Sequence, residues 1–115
     1  MHYTRIFSDE NGESHFETVQ VELKDNGIVG FLSESFKVKS LQFRENKEGY
    51  FWDFHNTPAR QFIILLDGEI EITTSSGEVQ QFGRGDIILA EDTQGKGHRT
   101  RNIKQEFRKS LFIRV

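Results

Sequence analysis

Hydrophobic and polar positions along the chain alternate in short runs, each ended by a cluster of turn-forming residues. In "HFETVQVELK" (15–24), Phe16, Val19, Val21 and Leu23 follow a mostly two-residue step, the period of a half-buried strand. "FKVKSLQF" (36–43) reads the same way. "GYFWDFH" (49–55) places Tyr50, Trp52 and Phe54 on one face of a strand and Phe51, Asp53 and His55 on the other. "RQFIILL" (60–66) forms the next strand, and Asp67-Gly68, a favoured hairpin dipeptide, turns it into "EIEITT" (69–74). "SSG" leads into "EVQQF" (78–82) and "GRG" into "DIILAE" (86–91). The loop "DTQGKG" (92–97) precedes "HRTRN" (98–102), and "EFRKSLFIRV" (106–115) closes the chain. That makes about nine short strands separated by turn signals, with no segment fitted better by a helical period. Such spacing predicts an all-β sandwich or barrel. With 115 residues and no internal repeat or linker, the pattern predicts one domain over residues 1–115.

Two groups of residues stand out against this plain background. Gly49, His55, Thr57, Gln61 and Gly68 are separated by five, one, three and six residues. Further on, Gly85-Asp86 opens a strand, and His98 is followed by Asn102 after three residues. The first spacing resembles the first motif of the cupin superfamily, with Thr57 where that motif has a second histidine and Gln61 where it has a glutamate. The second group resembles the second cupin motif, with Glu91 at the usual proline position and a longer loop at 92–97. The chain thus resembles a small single-domain cupin of a functionally uncharacterised bacterial group. The resemblance spans roughly residues 36–115.

It implies a cupin-type antiparallel jelly-roll β-barrel whose interior is lined by the motif residues, with residues 1–35 supplying strands that complete the barrel. Strand parity agrees: His55 and Thr57 share one face, Gln61 shares a face with Ile63 and Leu65, and His98 with Thr100 and Asn102. If those faces point inward, a few polar groups converge above an apolar floor, the usual make-up of a ligand pocket. The candidate ligand-binding residues are Thr57, Gln61, Asn102 and Asp53. His55 and His98 are the candidate acid–base pair and, with Gln61, a degenerate metal set. A complete cupin site holds a divalent transition metal such as zinc, iron, manganese or nickel. Here one imidazole and the carboxylate are missing, which predicts weak binding or none. Asp53 is placed to orient His55 or to stand in for the missing carboxylate.

The totals narrow the remaining choices. A formal net charge of −3 gives no bulk attraction to nucleic acid or anionic membrane. The basic stretch at 95–109 changes little, because Arg99 and Arg101 fall on the face opposite His98 and read as a solvated surface. There is no cysteine, so disulfides and thiolate metal sites are excluded. No run approaches the roughly 20 apolar residues of a membrane span, and the start lacks a secretory apolar core. A cytoplasmic location is the expectation. The apolar face of Tyr50, Trp52 and Phe54 needs a cover, either the N-terminal strands or a second subunit, and since cupins are often dimers a homodimer is the expectation. The loop at 92–97 reads as a hairpin loop at the barrel mouth. Two functions stay open: a small-molecule-binding enzyme acting on a polar or carbohydrate-like compound, with or without a metal, and a non-catalytic binding or sensing module.

Overall fold

Strands make up most of the computed structural model, which describes residues 1–115. They run β1 (His2–Ser8), β2 (Ser14–Gln20), β3 (Lys24–Asp25), β4 (Phe31–Leu32), β5 (Ser40–Asn46), β6 (Phe51–His55), β7 (Gln61–Leu65), β8 (Glu69–Thr74), β9 (Val79–Gly83), β10 (Ile87–Ala90), β11 (His98–Asn102) and β12 (Arg108–Arg114). One 3-10 turn, Gly27–Val29, separates β3 from β4, and there is no α-helix, so no helix is long and apolar enough to cross a membrane.

The strand order identifies the architecture. A six-stranded sheet runs β2-β1-β10-β7-β12-β5, a four-stranded sheet β6-β11-β8-β9, and β3 pairs only with β4. Counted from β5, the last eight strands fall into two four-stranded layers, sixth-third-eighth-first and second-seventh-fourth-fifth. That is the interleaved double Greek key of a jelly roll. All pairings within these eight strands are antiparallel. The all-β jelly roll therefore matches the expectation, with the two sheets facing each other rather than closing into one continuous barrel. β1 joins β10 in parallel and β2 pairs outside it, so the N-terminal hairpin lengthens one sheet.

Nine of the strands lie where the alternation places them. β1 and the two-residue β3 and β4 are additions. The inward face of β1 carries only Thr4 and Ile6, too short an apolar signal to stand out. β5 begins at Ser40 rather than Phe36 and leaves Leu41 and Phe43 exposed.

Ile6, Leu65, Ile70, Ile72, Phe82 and Ile88 form the core between the sheets, with Phe16 and Ile63 packed against it. These come from the inward positions of β1, β7, β8, β9 and β10, so alternation in sequence becomes one apolar layer. Fully burying each such side chain is worth about 1.5–3 kcal/mol. Behind the larger sheet, Phe62 meets Tyr3 and Phe36 edge-on at centroid distances of 5.3 and 5.2 Å. This outer aromatic cluster explains why β7 is apolar on both faces.

The loop at 92–97 is fastened to its surroundings. Ser8 Oγ donates to Gln94 O at 2.7 Å, Lys96 N to Gly12 O at 2.8 Å and Ser14 Oγ to Gly97 O at 2.7 Å, while Lys96 pairs with Glu13. The same hairpin tip grips the β8–β9 turn, where Ser14 N donates to Ser75 Oγ at 2.7 Å and Ser75 N returns a bond to Ser14 Oγ at 2.8 Å.

Gly97 ends this loop at φ +72°, and a Cβ there would lie 2.0 Å from His55 O. Gly97→Ala forces β6 and β11 apart as well as straining the backbone. By urea unfolding it should cost more than the roughly 1–3 kcal/mol of a strained backbone position alone. Gly77→Ala, at φ +93° with open space around it, isolates the conformational cost and should lose only about 1–2 kcal/mol.

Candidate functional site

Between the two sheets, beyond the apolar core, lies a cavity of about 50 Å³. Its floor is Ile63, Ile70 and Ile72, the edge of the core itself. One wall, along β6 and β11, carries Tyr50, Trp52, His55, Thr57 and His98, and the other, from the larger sheet, carries Gln61, Arg44, Arg108 and Phe112. The volume holds roughly three to five water-sized positions at 10–15 Å³ each.

The first wall depends on a defect in β6. His98 pairs with His55 and Thr100 with Trp52, so two steps along β11 oppose three along β6. One extra residue bulges out, and the parity of β6 reverses across it. Trp52 and His55, on opposite faces in a regular strand, now share a face and stack at a centroid distance of 3.5 Å and 3° between planes. This corrects the expectation that Tyr50, Trp52 and Phe54 form one outer apolar face. Tyr50 and Trp52 line the cavity, while Phe54 stays outside under the Arg99 guanidinium, 5.2 Å from its ring.

His55 and His98 converge, with ring centroids 4.8 Å apart. Each imidazole is oriented through Nδ1. His55 Nδ1 bonds the Asp53 carbonyl at 2.7 Å, and since a carbonyl only accepts, that nitrogen carries the hydrogen. His98 Nδ1 donates to Asp92 Oδ2 at 2.6 Å. Asp92 is fully buried, and its other oxygen accepts from Thr57 Oγ1 at 2.8 Å. Thr57–Asp92–His98 is thus a hydrogen-bonded chain behind the cavity wall. Both Nε2 atoms remain free of protein partners. Burial holds the His55 pKa below its ordinary value, with the neighbouring His98 adding to the effect. Gln61 is also buried, and its side-chain amide makes no bond to protein.

The opposite wall is cationic. Arg108 is buried, donating from Nε to Asn102 Oδ1 at 3.1 Å and from Nη2 to Asn46 Oδ1 at 2.7 Å. Burial lowers its pKa, and the charge of Arg44 pushes the same way. Arg44 is half-buried, its guanidinium carbon 4.0 Å from the Phe112 ring centre.

The structure therefore gathers His55, Thr57, Gln61 and His98 at one cavity and leaves two predicted residues out of its lining. Asp53 is exposed, and its carboxylate accepts from Phe54 N at 2.9 Å instead of facing the cavity, because the bulge turns it outward. Only its backbone carbonyl serves His55. Asn102 stands behind Arg108 and orients it. Sequence reasoning missed Asp92, which sits in a polar loop, and Arg108, which sits in a basic run. Their signals were present: an acid six residues before His98, and an arginine alternating with Ser110 and Phe112 on the inward face of the last strand.

A resident first-row metal does not fit this donor set. No group of three histidine, cysteine or acidic side chains converges anywhere in the fold. The cavity offers two imidazoles and an amide, with two guanidiniums facing the imidazoles, a charge arrangement that repels a divalent cation. The Asp92 carboxylate is spent on Thr57 and His98.

Trp52, the single tryptophan, reports on His55 through the stacked pair. On acidification, Trp52 fluorescence should change with a midpoint below 6.5, the ordinary histidine value, and His55→Gln should abolish that titration. The sign for stability follows. The unfolded chain takes up the proton at higher pH than the folded one, so the His55 contribution declines as pH falls through 6.5 towards the lower folded pKa. His55→Gln should flatten that part of the stability profile.

No family model matches the chain. Among solved structures, the chain is similar to the cupin domain of CENP-C from Drosophila melanogaster, at 14% identity and TM-score 0.49, over 82% of this chain and 71% of that one. It is similar to the Cnp3 cupin domain from Schizosaccharomyces pombe at 14% identity and TM-score 0.49, over 99% and 88% of the two chains. A putative ethanolamine utilization protein from Salmonella typhimurium gives 13% identity and TM-score 0.48, over 99% and 94%. The jelly roll of the present chain rests on its own strand order.

Proposed function

We propose that this domain binds a small polar molecule in the cavity between its sheets, as the sequence resemblance to cupins implies. One observation carries the reading. The Gln61 amide and the Nε2 atoms of His55 and His98 have no protein partner, although all three side chains line one cavity. These polar atoms keep access to the cavity space rather than being sealed in the fold, and a convergent set left open there suits a ligand or its displaceable water. The apolar floor and the Trp52–His55 stack supply the rest of the contact surface. Binding is the function these features support. His98, backed by Asp92, would act as a proton acceptor if the bound molecule reacts.

A saturable change in Trp52 fluorescence across a panel of small neutral and charged polar compounds tests this. Gln61→Leu should weaken any hit by about fivefold to tenfold, the value of one buried hydrogen bond. A panel that leaves both fluorescence and melting temperature unmoved would overturn the reading.

The homodimer is retained as a proposal on different residues. The exposed apolar side chains Phe31, Phe36, Val38, Leu41 and Phe43 lie on and before β5, the open edge of the larger sheet. Light scattering should give twice 13.4 kDa at micromolar concentration, and Phe43→Lys should return the monomer mass. A monomer mass for the unaltered protein sinks it.

A further inference from the structure

Arg108 is a buried cation without an anion. It is 3% exposed, and its two bonded nitrogens are held by neutral amide oxygens of Asn46 and Asn102. The remaining nitrogen, Nη1, is buried with no hydrogen-bond partner. Arg44, on the same cavity, is in no ion pair either, whereas Arg5, Arg60 and Arg101 all have carboxylates. Asp67, the carboxylate whose field reaches Arg108, uses Oδ1 to accept from Lys109 N at 2.6 Å. Within the cavity lining there is no aspartate or glutamate at all. An unpaired buried charge is costly, and folds normally pair it. The two guanidiniums lie over the Tyr50 and Phe112 rings, at 5.7 and 4.0 Å, but neither has a carboxylate, so the cavity lacks a negative charge.

The facing wall adds a second requirement. His55 and His98 carry their hydrogens on Nδ1, so each neutral ring offers an Nε2 lone pair to the cavity. Lone pairs ask for a donor. Gln61 can serve either need. The room of about 50 Å³ is partly open to solvent, so it takes the polar end of a small molecule.

We propose that the cavity binds a small hydroxy-carboxylate, its carboxylate against Arg108 and Arg44 and its hydroxyl donating to an imidazole Nε2 on the facing wall. The proposal rests on the pocket reading above and specifies its ligand class. Arg108 is held by two amides in a fixed orientation, with both N–H groups of Nη1 unbonded, and a guanidinium so placed suits a carboxylate. Arg44, less buried, offers the second contact nearer solvent. The Thr57–Asp92–His98 chain fixes which imidazole nitrogen meets the hydroxyl.

The test uses glycerate and lactate as probes, with glycerol and lactamide as their uncharged counterparts and inorganic phosphate as the competing anion, in low-chloride buffer. Glycerate or lactate should raise the melting temperature and change Trp52 fluorescence saturably, and glycerol and lactamide should do neither. Arg108→Gln should weaken the carboxylate response at least about tenfold. If that variant does not fold, Arg44→Gln, at a half-buried position, should weaken it about threefold or more. Equal responses to the acids and their uncharged counterparts would overturn the anion inference and leave the pocket reading standing. Tighter binding of phosphate than of either acid would overturn the carboxylate class. An unchanged affinity in the variants would also overturn it. Silence from every neutral and charged compound would remove both readings.

Discussion

The buried Asp92 carboxylate is the tie on which the site depends. It receives Thr57 Oγ1 on one oxygen and His98 Nδ1 on the other, while its backbone carbonyl accepts from Thr57 N at 3.1 Å. Thr57 belongs to the segment after β6 and His98 opens β11, so one side chain joins the two sequence motifs. Full burial of this carboxylate removes water as a competitor for both bonds. The connection also fixes the His98 tautomer, and with it the direction in which that ring presents a lone pair. The Thr57 hydroxyl is wholly committed to this carboxylate.

A second constraint divides the interior in two. One half, around Ile6, Leu65, Ile72 and Ile88, is fully buried hydrocarbon. The other half carries imidazoles, an amide and guanidiniums. A small jelly roll has little apolar surface to spare, and the sharing of Ile63, Ile70 and Ile72 between core and cavity floor means that the two halves are not independent. Enlarging the cavity floor would remove core contacts, and filling it would raise stability at the expense of the polar wall.

Much of this was legible in the chain. Period-two alternation located nine strands, and the glycine, histidine and glutamine spacing brought His55, Thr57, Gln61 and His98 to one place. What alternation cannot encode is an inserted residue. The bulge between Trp52 and His55 leaves every residue type unchanged and yet turns Asp53 outward and Trp52 inward. Arg108 was hidden for a related reason. Charge runs read as solvated surface, and only pairing with β5 and β7 shows that alternate residues of β12 face inside. Asp92 lay among turn formers, where a carboxylate ordinarily meets water. In each case the missing information was a tertiary contact far along the chain, such as the 35 residues between Thr57 and Asp92.

The parallel pairing of β1 with β10 has a consequence for how the molecule is made. Thr4 lies beside Ile88 and Ile6 beside Ala90, and Arg5 binds Glu91 across a separation of 86 residues. Contacts this far apart in sequence form slowly, because the loop they close loses entropy before any contact repays it. β1 is synthesised well before its sheet partner β10, with most of the other strands made in between. Until then β1 and β2 have only each other, and a lone two-stranded hairpin is marginal in water. The inward face of β1 and the Ile88 edge are then both open, and the interval between their synthesis is when this fold is most exposed to wrong partners.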